Sequence, residues 1–167
     1  MTMEPTRTLM LMRHAQTEDT RPGSPDRARR LTSDGEQQAT ALGDALRSQQ
    51  VEIDLVVCSS ATRAQQTVQA MRLTAPVVVS DRLYNAGGDE IIALVRELDE
   101  DVAHVLVVGH APGVPSVVQE LADPESSDPA ALATVERRFP AGTLATMAVP
   151  GEWSDLERAV LVSVRLP

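Results

Sequence analysis

The stretch Thr8-Leu9-Met10-Leu11-Met12-Arg13-His14 joins an apolar run directly to two basic side chains. The run from Thr8 to Met12 has the length and apolar content of a buried strand. Arg13 and His14 then follow at the point where that strand ends. The pattern predicts an interior strand whose carboxyl end presents Arg13 and His14 to a ligand, because loops at such ends carry function more often than packing.

Short apolar runs and segments of helical periodicity alternate along the rest of the chain. The predicted strands are residues 8–12, 53–58, 77–79, 104–108, 143–149 and 158–164. The predicted helices are residues 34–50, 61–71, 89–98, 115–121 and 129–138. This alternation predicts an α/β fold, a three-layer α/β/α sandwich with a mainly parallel central sheet. Without a repeat or a linker, residues 1–167 are expected to form a single domain.

Serines beside two of the predicted helices are interpreted as capping residues. Ser33 precedes Glu36 by three positions, which is the spacing of a capping box. Ser59 and Ser60 stand directly before the second predicted helix and are typical N-cap residues. Each of these serines is therefore assigned to a helix N-terminus.

The composition of the chain limits the classes of protein to which it can belong. Apolar residues make up 43% of the sequence and aromatic residues only 2%, so the core must consist of aliphatic side chains and methionine. The formal net charge of −9 argues against binding to nucleic acid or to an anionic membrane surface. No apolar run approaches the roughly 20 residues of a membrane-spanning helix.

Cysteine content and the N-terminus bear on the cellular compartment. Cys58 is the only cysteine, so a disulfide within the chain and a cysteine-rich metal site are both excluded. Cys58 lies in an apolar run and is expected to be a buried core residue. Residues 1–7 lack the apolar segment of a signal peptide, and we expect a cytoplasmic protein.

Three of the predicted strands lead into basic residues. The first ends at Arg13 and His14, the second leads through Ser59 and Ser60 to Arg63, and the fourth ends before His110. Because ligands bind at the carboxyl ends of strands in such sheets, the two arginines and two histidines are expected to converge. Taken singly, each has an ordinary alternative: a surface arginine, a packing histidine, a turn residue or a helix-face ion pair.

The four residues suit phosphoryl transfer. A guanidinium group matches two phosphate oxygens at a time, and an imidazole can attack phosphorus and carry the phosphoryl group. Arg63 also falls in the first turn of a predicted helix, where free N–H groups favour an anion. In a chain of net charge −9, such a site must be a local cationic pocket.

Other chemistries find no support in the sequence. His104 stands at the start of its predicted strand and is separated from His110 by about 20 Å of extended chain, too far to share a metal ion. Neither a P-loop nor a nucleophile elbow is present. Asp19, Asp26 and Asp34 are interpreted as scattered loop or cap residues, and no metal or other cofactor is expected.

Several motifs resemble those of one family, the histidine phosphatase superfamily with its phosphoglycerate mutase-like fold. Residues 11–15 resemble its R-H-G/A signature, residues 59–67 its S-x-x-x-R-A-x-x-T block, and residues 107–113 its V-G-H-x-P-G block. Residues 26–35 are similar to the D-x-x-R-x-L-T-x-x-G block of the small SixA-type phosphohistidine phosphatases, with Arg30 at the position of a proline. Phe139-Pro140-Ala141-Gly142 and Trp153 also match that branch. The resemblance extends from Thr8 to Leu166.

The resemblance implies a role for each site residue. His14 would be the nucleophile that becomes phosphorylated, Arg13 and Arg63 would bind the phosphoryl oxygens, and His110 would complete the pocket. Larger members place an acidic residue after the third strand, where this chain has Asp89 and Glu90 as candidates for the general acid. Equally, these two carboxylates could simply complement the dipole of a helix start.

The implied activity is metal-independent removal of phosphate from phosphohistidine on a protein. His110 follows Arg63 by only 47 positions, which leaves no room for a large lid. An open site suits a phosphorylated protein side chain, but it would also admit a small phosphorylated metabolite, so a small-molecule phosphomonoesterase is one alternative. A non-catalytic phosphate- or phosphoprotein-binding module is another. The oligomeric state is left open.

Overall fold

The computed structural model describes residues 6–167, in which six strands form one mixed sheet. The strands are β1 (Arg7–Arg13), β2 (Leu55–Ser59), β3 (Val77–Ser80), β4 (His104–Gly109), β5 (Leu144–Val149) and β6 (Val160–Arg165). They lie in the order β3-β2-β4-β1-β5-β6. The four strands from β3 to β1 are parallel, whereas β5 is antiparallel to both β1 and β6. The predicted mainly parallel sheet is confirmed.

Within residues 6–167, five α-helices cover the two faces of this sheet. They are α1 (Ser33–Ser48), α2 (Thr62–Met71), α3 (Gly88–Arg96), α4 (Gly113–Leu121) and α5 (Pro129–Arg137). Alternate residues of a strand point to opposite faces. Leu9 and Leu11 accordingly pack with α3, α4 and α5, whereas Met10 and Met12 pack with α1 and α2. The predicted three-layer sandwich is therefore confirmed, with helix bounds within two residues of those predicted.

The predicted serine caps are wrong at both helices. Thr32, not Ser33, caps α1, since the Thr32 side chain accepts the Gly35 backbone N–H at 3.0 Å. At α2 the N-cap is Ala61, which has no side chain able to cap, so neither Ser59 nor Ser60 serves as the N-cap. Ser59 instead ends β2 and is fully buried, which leaves its hydroxyl available to another partner.

Two further predictions concern single residues at strand positions. Cys58 is confirmed as a buried core residue of β2, and burial raises the pKa of its thiol to about 12. His104 is the first residue of β4, as in the predicted strand 104–108, and its Nε2 lies 3.2 Å from a carboxylate oxygen of Glu52. It therefore sits at the end of β4 opposite to His110.

Two predictions about membranes and export concern the chain as a whole. Among the described residues, none of the helices combines the length and the apolar character that crossing a membrane requires. The prediction that the N-terminus carries no signal peptide rests mostly on residues 1–5, which lie outside the described residues.

Candidate active site

The sheet order brings His14 and His110 together. β1 and β4 are parallel neighbours in which Arg13 is level with Gly109, so the residues that follow leave the sheet side by side. The His14 backbone N–H donates to the Gly109 carbonyl at 3.0 Å, which extends the pairing by one residue. The two imidazole rings lie 5.2 Å apart between centroids, at an angle of 57°.

His14 is held as a neutral imidazole with one defined proton position. Its Nδ1 lies 2.8 Å from the Ala15 carbonyl oxygen, which can only accept a hydrogen bond, so Nδ1 carries the proton. Burial lowers the pKa of His14 to about 3, against the opposing effect of the bond to Ala15 and with smaller contributions from the charges of His110, Arg63 and Arg13. The other ring nitrogen, Nε2, therefore retains its lone pair at neutral pH.

Residues 139–142, which precede β5, hold the last residue of β1 and the residue that follows it. Arg13 donates from NH1 to the Phe139 carbonyl at 3.0 Å, and the Gly142 N–H donates to the His14 carbonyl at 2.8 Å. Gly142 has a φ of +90°, a conformation that an L-residue with a side chain rarely adopts. Two positions of the Phe139–Gly142 motif thus hold Arg13 and His14 in place.

Arg63 enters the pocket from the first turn of α2 and is almost fully buried. Its NH1 donates to the Asp26 carbonyl at 3.0 Å and its NH2 to Asp26 Oδ2 at 3.2 Å. One turn later, Thr67 Oγ1 donates to the Arg63 carbonyl at 2.7 Å and accepts the Ala15 N–H at 3.1 Å. Thr67 therefore ties α2 to the loop that carries His14.

Two residues of the loop between β1 and α1 also belong to the site. Asp26 Oδ1 accepts from Arg29 NH2 at 3.2 Å, and Asp26 Oδ2 also accepts from the Tyr84 hydroxyl at 2.7 Å. The interpretation of Asp26 as a scattered loop residue is therefore wrong, and Arg29 was not identified as a site residue. The D-x-x-R motif contained the signal, because its spacing allows the two side chains to pair.

The pocket at this edge of the sheet has a volume of about 450 Å³ and is open to solvent. Its lining includes the guanidinium groups of Arg13, Arg29 and Arg63, and a single carboxylate, that of Asp26. Within residues 6–167, the Nε atoms of the three arginines are buried without a hydrogen-bond partner. A local cationic pocket in an acidic chain is therefore present, as the net charge required, and it suits a phosphoryl group.

The side chain of His110 bonds to Ser59, a residue that the sequence predicted to be a helix N-cap. Ser59 Oγ lies 2.7 Å from His110 Nε2. Burial lowers the pKa of His110 to about 4, and the positive charges of Arg63, Arg13 and Arg29 add to this effect against that of Asp26. His110 is therefore neutral at physiological pH.

Asp89 and Glu90, the two candidates for the general acid, lie in the first turn of α3. Glu90 Oε1 accepts from Arg82 Nε at 2.9 Å, and neither carboxylate is among the residues that line the pocket. Across residues 6–167, no group of three or more potential ligands is arranged to hold a metal ion.

Comparisons with known proteins agree with this geometry. The family model of the histidine phosphatase superfamily (branch 1) matches residues 9–104. An uncharacterized protein of Mycobacterium tuberculosis is 34% identical over 158 residues, which cover 93% of this chain and 99% of that protein.

Two solved structures share the fold over nearly their whole length. One, from Nakamurella multipartitia and named as a phosphohistidine phosphatase SixA, has a TM-score of 0.89 and 40% identity over 99% of each chain. The other, the protein histidine phosphatase SixA complexed with tungstate, has a TM-score of 0.71 and 25% identity over 94% of this chain and 95% of that one. The chain belongs to the histidine phosphatase superfamily, branch 1.

Proposed function

We propose that this phosphatase removes the phosphoryl group from phosphohistidine on a protein, through a phosphorylated His14. The observation that carries the proposal is the state of His14. It is a buried, neutral imidazole whose Nδ1–H is bound to the Ala15 carbonyl, beside His110 and at the floor of a pocket with three arginines. A neutral imidazole with a free lone pair is the form that attacks phosphorus.

In the first step, His14 Nε2 forms a bond to the substrate phosphorus. The bond from phosphorus to the substrate nitrogen breaks, and its electron pair stays on that nitrogen. Arg13, Arg29 and Arg63 stabilise the charge that spreads over the equatorial oxygens of the transition state. His110, which also lines the pocket, donates a further hydrogen bond to the phosphoryl group.

In the second step, water attacks the phosphorus of phospho-His14. The bond to Nε2 breaks, the electron pair returns to the imidazole, and the proton lost by water remains on inorganic phosphate. The pocket is open to solvent, so water can reach the intermediate without any opening motion. This openness favours hydrolysis over retention of the phosphoryl group for transfer to a second acceptor.

The ionised state of the carboxylate in the pocket lining favours phosphohistidine over an alkyl phosphate ester as the substrate. Asp26 is the one carboxylate in the lining, and the Tyr84 hydroxyl, followed by Arg63 and Arg29, lowers its pKa. It is therefore ionised and cannot protonate a leaving alkoxide. A histidine leaving group needs no such acid, because imidazole takes up a proton at its other ring nitrogen with a pKa of about 6.5 and departs neutral.

Names of similar proteins support the same substrate class. The relatives with solved structures are named as a phosphohistidine phosphatase and a protein histidine phosphatase. We also propose that residues 1–167 act as one domain, in the cytoplasm and without a metal ion, since three guanidinium groups already supply the positive charge at the phosphoryl site.

The proposal is tested by trapping the intermediate. Incubation with a phosphohistidine-bearing protein should give a phosphoenzyme that acid hydrolyses and base does not, and EDTA should leave turnover unchanged. His14→Ala should abolish both the phosphoenzyme and turnover. His104→Ala is the matched control, because this histidine pairs with Glu52 at the opposite end of β4.

A substrate panel then separates the proposed activity from a phosphomonoesterase. Phosphohistidine protein should be turned over faster than phosphohistidine peptide and far faster than phosphorylated sugars. Equal or faster turnover of the phosphate esters would replace the proposed substrate class, and normal turnover by His14→Ala would remove the proposed nucleophile.

A further inference from the structure

Ser59 is a buried side chain whose hydroxyl bonds to the site. It is the last residue of β2 and is fully buried. Its Oγ lies 2.7 Å from His110 Nε2 and accepts the Ala61 backbone N–H at 3.2 Å. Ser59 does not cap α2. Within residues 6–167, the hydroxyl of Ser59 therefore has two hydrogen-bond partners, His110 Nε2 and the Ala61 N–H.

Counting hydrogens gives the direction of the bond between Ser59 and His110. A hydroxyl has one hydrogen to donate, and the Ala61 N–H can only donate to Oγ. The one acceptor within reach of the hydroxyl hydrogen, among the described residues, is His110 Nε2. In the reverse arrangement the buried hydroxyl would have no acceptor, at a cost of about 1–3 kcal/mol. Ser59 therefore donates and Nε2 accepts.

The direction of that bond determines the tautomer of His110. A neutral imidazole carries one proton, and an Nε2 that accepts a hydrogen bond cannot hold it. The proton is therefore on Nδ1. This nitrogen is buried and, in the part of the chain that the structure describes, has no hydrogen-bond partner of its own. His110 lines the same pocket as Arg13, Arg29 and Arg63, so within residues 6–167 Nδ1–H is a donor without an acceptor beside the proposed phosphoryl site.

We propose that Ser59 is a positioning residue that fixes His110 as the Nδ1–H tautomer, so that His110 donates to a phosphoryl oxygen during transfer. With the other tautomer, a lone pair would face the anionic oxygens and repel them. The inference rests on the proposed function for the role of His110, but the tautomer itself is a property of the free protein. Orientation of a histidine by a hydrogen bond at its second nitrogen is a general device.

Histidine NMR tests the tautomer directly. In protein labelled with ¹⁵N-histidine at neutral pH, long-range ¹H–¹⁵N spectra distinguish a protonated Nδ1 from a protonated Nε2. The chain has three histidines, so His104→Gln and His110→Gln assign the signals. The wild type should show His110 protonated at Nδ1. A wild-type His110 protonated at Nε2 would overturn the proposal without any need for a variant.

Replacement of Ser59 tests its role. Ser59→Ala should move His110 towards a mixture of tautomers and lower kcat/KM by about tenfold to a hundredfold, since one donor to the transition state is no longer oriented. Ser59→Cys, which fills the same space with a weaker donor, should lie between the two. Ser116→Ala is the matched control, because Ser116 lies at an exposed position of α4 and its Oγ donates to the Pro112 carbonyl.

The outcomes separate this inference from the proposed function. Ser59→Ala with an unchanged His110 spectrum and unchanged kcat/KM would overturn the role of Ser59. A wild type that hydrolyses no phosphorylated substrate would overturn the proposed function instead, while the NMR result would still report the tautomer. Ser59→Ala that loses activity with an unchanged His110 spectrum would show a packing role and would equally overturn the inference.

Discussion

Asp26 holds two arginines of the pocket at once. Its Oδ1 accepts from Arg29 and its Oδ2 from Arg63, each at 3.2 Å. The carboxylate thus spaces two guanidinium groups around a site for an anion and offsets part of their mutual repulsion. Arg29 is fixed further by its donation from NH1 to Thr17 Oγ1 at 3.0 Å. These contacts hold the two arginines in position before substrate arrives.

Replacement of Arg29 should therefore impair catalysis without unfolding the protein. We expect Arg29→Ala to lower kcat/KM by about a hundredfold, because one charged donor to the transferring phosphoryl group is lost. Steady-state kinetics with a phosphohistidine protein measure the effect. Arg21→Ala, on the same loop, is the matched control: its side chain is 74% exposed and pairs only with Glu18 in the described residues. Equal kinetics for Arg29→Ala and the wild type would exclude Arg29 from the site.

Site residues at strand ends could be predicted from the topology of the sheet, whereas those of the loop could be found only through the D-x-x-R motif. Arg13, His14 and His110 follow buried strands directly, so the parallel sheet alone brings them to one edge. Asp26 and Arg29 reach the same pocket through a loop whose path depends on contacts with Arg63 and Tyr84. Apolar periodicity and turn propensity do not encode such a path. The composition therefore predicted that these residues form a loop, but not that the loop reaches the pocket.

Thr32, the N-cap of helix α1, bonds both to the helix and to the segment that follows His14. Thr32 Oγ1 accepts the Gly35 N–H, and the Thr32 N–H donates to the Gln16 carbonyl at 3.0 Å. Gly35 is required by close approach, since a Cβ there would lie 2.1 Å from the Gln16 carbonyl oxygen. The start of α1 is thus fixed against the segment that follows His14.

The cap of α1 gives a prediction that separates neighbouring residues. Thr32→Ala should lower the free energy of unfolding by about 1 kcal/mol, the usual cost of losing an N-cap side chain. Ser33→Ala should change it by no more than about 0.5 kcal/mol, as for a surface substitution. Urea unfolding with an unchanged m-value measures both. A larger effect at Ser33 than at Thr32 would contradict the observed cap.

Both caps were misassigned for the same physical reason. Thr32 and Ser33 are both typical N-cap residues, and only Ser33 is followed three positions later by a glutamate, yet Thr32 is the observed cap and its backbone also pairs with Gln16. Ser59 precedes a helix as a capping residue would, but it is the last residue of β2, the neighbour of β4, and its hydroxyl bonds to His110. In each case a tertiary contact overrides a valid local preference.

At the scale of the whole molecule, the sequence predicted the layers but not the order of the strands. The run Val77-Val78-Val79 was correctly predicted as a strand, yet the three side chains are 45–52% exposed because β3 lies at the edge of the sheet. An apolar run gives no sign of whether a strand is central or peripheral. Strand order depends on how the connecting helices pack against the sheet. The apolar pattern of a single strand does not encode that packing.

Burial of two neutral histidines makes the stability of the whole molecule sensitive to acid. The pKa is lowered to about 3 for His14 and to about 4 for His110, whereas a histidine of the unfolded chain titrates near 6.5. Between these values the unfolded state binds protons that the folded state does not. The stability contributed by these groups is therefore present above pH 6.5 and is lost as the pH falls below it.

We expect the free energy of unfolding to decrease by roughly 2 kcal/mol per buried histidine between pH 7.5 and pH 5.0, which is the linkage expected for such pKa values. Asp26, whose pKa is lowered, would add to the loss only at still lower pH, where carboxylates begin to bind protons. Urea unfolding of the unliganded protein across this range measures the slope. His110→Gln should remove about half of the pH dependence, because glutamine does not titrate, and His104→Gln is its control. A free energy of unfolding that stays constant between pH 7.5 and pH 5.0 would mean that His14 and His110 bind protons in the folded state as readily as in the unfolded state, which would contradict the lowered pKa values of both.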